Sequence, residues 1–138
     1  MDICRLSYNN IYTYKIDDKI VGILLAYSSN DVKKLDYPML EYIKNKGIFL
    51  DSFEQECFAN EFYIDTVSVD SKFQGRGIAK ELFSFAEKRA KELNFKKLSL
   101  LVDLENTKAK ALYIKLGFKD NKILNVSGSS FYHMIKKV

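Results

Sequence analysis

The chain has 138 residues, of which 47% are apolar, and a formal net charge of +4. This length suits a single domain over residues 1–138 with a real core, and no apolar run approaches the ~20 residues of a membrane span. The positive charges are spread along the chain and do not form the basic stripe of a nucleic-acid binder, so we expect neither nucleic acid nor a membrane as partner. The N-terminus lacks a signal-peptide pattern, so we expect a cytoplasmic protein.

The first third of the chain predicts a hairpin and a helix. Residues 11–15 and 20–27 are rich in β-branched and aromatic side chains and flank a polar turn at 17–19, which is typical of an antiparallel hairpin. Four apolar residues at helical spacing then predict a helix that ends near Gly47. These residues are Leu35, Met39, Tyr42 and Ile43.

The middle of the chain predicts two strands that alternate with two helices. No period is visible over 48–60, whereas residues 61–69 alternate and become β-branched, as in a strand. A helical stripe follows, and residues 97–102 form a short apolar run typical of a buried strand. A third helix begins at Asn106 and stops at Gly117. The stripe consists of Ala79, Leu82, Phe83, Ala86, Ala90 and Leu93.

The end of the chain predicts two more strands, over 118–126 and 131–138, around a turn at 128–130. The complete order is strand, strand, helix, strand, helix, strand, helix, strand, strand. This order indicates a mixed α/β fold in which helices pack on a sheet. The strand–helix–strand unit over 62–102 is expected to be a right-handed parallel crossover.

The segment 74–79, Gln-Gly-Arg-Gly-Ile-Ala, lies between a predicted strand and the helix that follows it. Two glycines at such a junction let the backbone approach a ligand closely, because neither carries a Cβ. The N–H groups of the first helical turn have no partner within the helix, and the positive end of the helix dipole lies behind them. The segment therefore predicts an anion site, most simply for a phosphate.

Two common nucleotide motifs do not fit this segment. The dinucleotide fingerprint needs a third glycine where the chain has Lys80, and no GxxxxGK stretch of a P-loop is present. The remaining pattern, Q-x-x-G-x-A, resembles the acyl-CoA-binding motif of the GNAT superfamily of N-acetyltransferases. Residues 106–118 also resemble the next motif of that superfamily, N-x-x-A-x-x-L-Y-x-x-x-G-F, at the family's separation of helix, strand and helix. The resemblance covers residues 11–138 and is strongest over 62–118.

The resemblance implies a GNAT-like fold, with a central, mostly antiparallel mixed sheet that contains one splayed parallel strand pair and is flanked by helices. It implies acetyl-CoA as co-substrate, with the pantetheine arm bonded to the main chain of Val67 and Val69 in the gap between the splayed strands. Asn106 would contact coenzyme A, although an asparagine at this place is also a good helix N-cap. The backbone N–H groups that would bind the pyrophosphate belong to Gln74, Gly75, Arg76, Gly77, Ile78 and Ala79, with Arg76 adding charge.

The resemblance also implies direct transfer of an acetyl group to a primary amine through a tetrahedral intermediate. Tyr113 would be the general acid that protonates the leaving thiolate, unless it is only a core aromatic residue, and an N–H near Val69 would polarise the thioester carbonyl. The amine must lose a proton before it attacks. Asp65, Tyr63 and Glu61 share one strand face by two-residue periodicity, and each is a candidate base.

Several alternatives stay open. Only about ten residues precede Ile11, so the family's N-terminal strand and helices are expected to be shortened or missing, and a partner subunit in a homodimer is one way to complete the acceptor pocket. The acidic residues Asp51, Glu54 and Glu56 would favour a cationic acceptor, unless they only form a solvated loop. The chain would be an N-acetyltransferase for a small-molecule or peptide amine, a CoA-binding module that lacks a complete acceptor site, or a phosphate-binding protein unrelated to coenzyme A.

No metal is expected in this protein. Cys4 and Cys57 form no CxxC pair, and His133, the single histidine, is distant from both in sequence. His133 is instead expected to be structural or exposed.

Overall fold

The computed structural model describes residues 8–48, 50 and 55–138. The described residues form six strands and three α-helices, in the order that the sequence predicts, together with three short 3-10 helices. The strands and α-helices are β1 (Ile11–Ile16), β2 (Lys19–Ser28), α1 (Val32–Asn45), β3 (Phe62–Val69), α2 (Ile78–Glu92), β4 (Lys97–Asp103), α3 (Thr107–Lys115), β5 (Lys119–Val126) and β6 (Ser129–Lys137).

The six strands form one mixed sheet in the order β1-β2-β3-β4-β6-β5. Every neighbouring pair is antiparallel except β3 and β4, which are parallel and are connected through α2. The parallel pairing is short, because only residues 62–64 of β3 pair with residues 98–100 of β4. Beyond Ile64 the two strands part, and this confirms the predicted splayed pair in a mostly antiparallel sheet.

A β-bulge in β3 decides which side chains face which side of the sheet. The register between β2 and β3 skips Asp65, so this residue has no partner on β2. An extra residue shifts the in-and-out alternation of a strand by one position. Phe62 and Ile64 before the bulge and Val67 and Val69 after it therefore all belong to the same core. Strict two-residue periodicity would have put Asp65 and Val67 on one face, and the bulge separates them.

Two apolar clusters lie on the two faces of the sheet. The larger one joins β2, β3, β4 and β6 to α2, whose Leu82, Phe83 and Ala86 are at most 4% exposed. Burying a leucine or phenylalanine side chain stabilises the fold by roughly 1.5–3 kcal/mol, so the apolar stripe of α2 is a main source of stability. The buried members of the smaller cluster are Leu25, Tyr27, Leu35, Cys57 and Tyr63.

Some local details differ from the predictions. The last hairpin turns at Ser127 and Gly128, with φ of 52° and 80°, so β6 begins before the end of the predicted turn. Two consecutive left-handed residues form the tight turn that matches the twist of paired strands. Leu35 and Asp36 are the fully buried residues of α1, and Tyr42, on the predicted apolar face, is 53% exposed.

Several predictions fall on residues outside the described part of the chain. The expected shortening of the N-terminal elements concerns residues 1–7, and Cys4, Asp51 and Glu54 are likewise not described. Among the helices that the structure describes, none is long and apolar enough to cross a membrane. Over the same residues, no three His, Cys, Asp or Glu side chains are grouped so that they could hold a metal ion.

Candidate active site

The loop between β3 and α2 leaves the first turn of α2 open. Gly75 and Gly77 have φ of 79° and 80°, where an L-residue costs roughly 1–2 kcal/mol. A Cβ on either glycine would meet no atom within 4 Å. Gly77 precedes α2, no side chain caps this helix, and the Gly77 carbonyl first accepts from the N–H of Glu81. The N–H groups of residues 78–80 are therefore left for an anion, with the positive helix end behind them.

In the second half of β3, some backbone N–H and C=O groups face the gap between β3 and β4. The N–H of Asp70 donates to the Val21 carbonyl of β2 at 2.8 Å. Because backbone groups alternate in direction along a strand, those of Val67 and Val69 point away from β2, into the split. Gln74 joins the loop to this edge, since its Nε2 donates to the Val69 carbonyl at 3.1 Å.

These elements enclose a groove of about 460 Å³. The end of β3 lies on one side of the groove, the loop and the start of α2 close one end, and α3 contributes Leu112 and Tyr113 on the other side. Leu112 is 39% exposed although it lies on the apolar face of α3, because that part of the face borders the open groove. The predicted site residues that line the groove are Val67, Val69, Gln74, Gly75, Gly77, Ile78, Ala79 and Tyr113.

Two predicted cofactor residues lie beside the groove instead of lining it. The Arg76 guanidinium stacks on the Phe73 ring, with 4.9 Å from Cζ to the ring centroid. Asn106 is the N-cap of α3, and its Oδ1 accepts the Ala109 N–H at 3.1 Å. The N-cap interpretation of Asn106 is therefore confirmed, and the amide nitrogen of its side chain is not used in the cap.

The groove also contains residues that the sequence motifs did not single out. Lys80 and Lys108 line it from the first turns of α2 and α3, and they add positive charge where an anion would bind. Lys80 follows directly after the Q-x-x-G-x-A segment, and Lys108 is at a variable position of the N-x-x-A motif. The sequence signal that could have identified them is a lysine in the first turn of each of two successive helices. First turns more often carry acidic residues, because these interact favourably with the positive end of the helix dipole.

Tyr113 lies at the end of the groove next to the core. Its ring packs against Phe83 and Phe118, with centroid distances of 5.6 and 6.2 Å. Burial raises the pKa of the Tyr113 hydroxyl above its ordinary value, so this group keeps its proton well above neutral pH. Tyr113 is thus a core aromatic residue that also lines the groove and carries a protonated hydroxyl.

Asp65 lies just beyond the last residue of β3 that pairs with β4. Its Oδ2 accepts a hydrogen bond of 2.7 Å from the Tyr27 hydroxyl. On the same face, the buried Tyr63 hydroxyl donates to Glu56 at 3.0 Å. Burial and the nearby carboxylates raise the pKa of Tyr63 strongly, so it stays protonated.

Glu61 lies at the paired end of β3 and is only 2% exposed. Its Oε1 accepts the Phe58 N–H at 2.9 Å and lies 3.0 Å from Nε2 of His133. Burial raises the pKa of Glu61, but the hydrogen bonds from His133 and Phe58 outweigh it, and the net pKa is lowered. His133 is fully buried, with Nδ1 3.1 Å from Nδ2 of Asn121, so it is structural and not exposed.

The model of the acetyltransferase (GNAT) family matches residues 3–118 of the chain. The protein belongs to the GNAT family. A crystal structure of an acetyltransferase shares 36% sequence identity with it and has a TM-score of 0.82, over 99% of this chain and 74% of the other. An N-acetyltransferase from Staphylococcus aureus Mu50 shares 28% identity, with a TM-score of 0.78, over 96% of this chain and 73% of that one. No curated protein sequence matches the chain.

A third GNAT structure shows the same fold at lower identity. This GNAT family acetyltransferase from Elizabethkingia anophelis, solved with acetyl-CoA bound, has a TM-score of 0.64 and 19% identity, over 93% of this chain and 75% of its own. GNAT membership confirms the resemblance carried by residues 74–79 and 106–118. The mixed sheet with one parallel pair is the fold that this chain shares with its GNAT neighbours.

Proposed function

We propose that this protein transfers an acetyl group from acetyl-CoA to a primary amine by direct attack of the amine on the thioester. The observation that carries the proposal is the groove in which the open start of α2, the unpaired edge of β3 and Tyr113 meet. Membership in the acetyltransferase (GNAT) family supports acetyl transfer. The bound acetyl-CoA of the Elizabethkingia neighbour, which has the same fold, supports the choice of co-substrate.

The loop fits a diphosphate on physical grounds. The backbone N–H groups of residues 74–79 would bind it, and the positive φ of Gly75 and Gly77 turns these groups outward with no Cβ in the way. Arg76, Lys80 and the free side-chain amide of Asn106 would add contacts near the phosphates. The backbone of Val67 and Val69 would hold the extended pantetheine arm, because it points into the split and lacks a strand partner there.

The chemistry divides among three groups of the chain. The amine lone pair forms a C–N bond at the thioester carbonyl carbon, and the Val69 N–H would stabilise the resulting oxyanion. The C–S bond then breaks with its electron pair on sulfur, and the Tyr113 hydroxyl would protonate the thiolate. The proton that leaves the amine needs a base, which we place on the face of β3 opposite to Tyr113.

Asp65 fits the role of base better than Glu61 does. Asp65 lies where β3 leaves β4, next to the split, and is only partly buried. Glu61 is at the far end of the strand, and its Oε1 already serves Phe58 and His133. A buried carboxylate with these partners is better suited to holding the loop before β3 than to exchanging protons with solvent.

The acceptor is a small-molecule or peptide amine, and an acetyl transfer assay identifies its class. The purified protein is incubated with acetyl-CoA and a panel of polyamines, amino acids, lysine-containing peptides and peptides with a free N-terminus. Thiol release is expected only with a suitable amine, and mass spectrometry should show that amine acetylated. The Gly77→Glu variant places bulk and negative charge beside the diphosphate and should lose both binding and transfer.

Two other results would exclude this function. Thermal stabilisation by acetyl-CoA without transfer to any amine would indicate a CoA-binding module. Stabilisation by ATP or NAD, with no effect of acetyl-CoA, would indicate a phosphate-binding protein unrelated to coenzyme A.

A further inference from the structure

Tyr27 is buried in β2 at 3% exposure, yet its hydroxyl bonds a carboxylate at the edge of the proposed reaction site. It donates to Oδ2 of Asp65 at 2.7 Å, a short and therefore well-formed hydrogen bond. The other oxygen of Asp65 has only a long contact, 3.4 Å, with the Thr66 hydroxyl. The hydrogen bond from Tyr27 is the shorter of the two and therefore restrains the orientation of this carboxylate most strongly.

The bulge explains why Asp65 needs such a restraint. Asp65 is the extra residue of β3 and has no partner on β2, and its strand has already left β4. The sheet thus fixes its side chain less firmly than that of a regular strand residue. The Tyr27 ring is itself fixed, because it is buried and packs edge-on against Tyr63 with a centroid distance of 5.7 Å.

We propose that Tyr27 is a positioning residue for acetyl transfer, and that it holds the Asp65 carboxylate where β3 leaves β4 to take a proton from the acceptor. The inference rests on the proposed function. The acceptor ammonium gives one proton to Asp65, which becomes a neutral carboxylic acid, and the amine is left with the lone pair that attacks. Tyr27 exchanges no proton and does not touch the substrate.

The charged and titratable groups around Asp65 agree with this division of roles. Tyr27 lies on β2, and Tyr63 on β3 donates to Glu56 in the loop before that strand. Burial and the carboxylates of Glu56 and Asp65 keep Tyr63 protonated by raising its pKa. Asp65 is thus the member of this group that lies at the split and can accept a proton.

The test compares Tyr27→Phe, Asp65→Asn and the double variant, using acetyl-CoA and the amine found active with the wild type. Tyr27→Phe should lower kcat about tenfold, with the KM for acetyl-CoA unchanged. In the Asp65→Asn background, Tyr27→Phe should have no further effect.

Tyr14→Phe is the matched control. It also removes a tyrosine hydroxyl that bonds a carboxylate, that of Glu81, but it does so on the α2 side of β1. It should leave both kcat and the KM for acetyl-CoA unchanged. An active wild type whose Tyr27→Phe variant behaves like Tyr14→Phe would overturn the role of Tyr27 alone, whereas an inactive wild type that binds acetyl-CoA would overturn the proposed function.

Asp65→Glu keeps the inference testable if Tyr27→Phe does not fold. The longer side chain keeps the charge but moves it away from the position set by Tyr27. We expect the same loss of kcat and the same unchanged KM for acetyl-CoA. Wild-type kcat in Asp65→Glu would show that the position held by Tyr27 is not needed.

Discussion

Replacing Gly77 by alanine separates the backbone geometry of the loop from its contact with a ligand, because Gly128 provides a matched control. Both glycines have φ of 80°, and a Cβ on either would meet no atom within 4 Å. Each substitution should therefore cost the same backbone strain, roughly 1–2 kcal/mol, without a steric clash. For a chain of 138 residues, 1 kcal/mol corresponds to about 3 °C in Tm, so both variants should melt about 3–7 °C below the wild type.

Acetyl-CoA should then distinguish the two variants. At 100 times Kd it stabilises the wild type by about 2.7 kcal/mol, or about 9 °C, and the Gly128→Ala variant should show the same shift. Because Gly77 lines the groove, the added methyl group of Gly77→Ala should weaken binding, and a tenfold loss of affinity would reduce the shift to about 1.4 kcal/mol, or about 5 °C. The assay is a thermal melt of each variant at one fixed acetyl-CoA concentration. Equal ligand shifts in both variants would refute the assignment of the loop to the diphosphate.

Substitutions at three further positions test individual side chains. Tyr113→Phe should lower kcat about 10²-fold or more with unchanged acetyl-CoA affinity, and a wild-type rate would exclude Tyr113 as the acid. Glu61→Gln should lower the free energy of unfolding by about 1–3 kcal/mol at pH 7. The pKa of Glu61 is lowered in the folded state. The contribution of its carboxylate to the stability of the fold is therefore fully present above about pH 4.3 and is lost as the pH falls through the folded pKa. Urea unfolding should therefore show the difference between wild type and Glu61→Gln shrinking below about pH 4, and a constant difference would contradict this reasoning. Asn106→Ala removes the N-cap of α3 and should lower the free energy of unfolding by about 1 kcal/mol, and it should also weaken acetyl-CoA binding. Asn106→Ser keeps a capping side chain, so it should weaken acetyl-CoA binding without this loss of stability. Unchanged affinity in Asn106→Ser, measured by calorimetry, would exclude a contact with coenzyme A.

Local patterns in the sequence were sufficient to predict the elements and the loop. Apolar residues at helical spacing predicted α2, since one stripe of that helix must be buried against the sheet. The glycines of the loop were informative because only a residue without a Cβ adopts their positive φ at little cost. The polar turn at Asp17 and Asp18 also follows from local chemistry, as both residues have positive φ and aspartate tolerates it better than most.

Features that depend on distant residues could not be predicted in the same way. Glu61 and His133 are 72 residues apart in sequence, and neither shows its partner in a local pattern. The bulge at Asp65 arises from the pairing of β3 with β2, and it alone separates Asp65 from the face of Val67. The sequence correctly grouped Asp65, Tyr63 and Glu61 by periodicity, but it could not show that Glu61 is buried against His133 while Asp65 lies at the split.

A crystal structure of the protein grown with acetyl-CoA tests the proposed site most directly. We expect the diphosphate on the backbone N–H groups of residues 74–79, the thioester carbonyl beside the N–H of Val69, and the sulfur within reach of the Tyr113 hydroxyl. A cofactor bound elsewhere, with the N–H groups at the start of α2 facing only solvent, would contradict the site and the mechanism built on it.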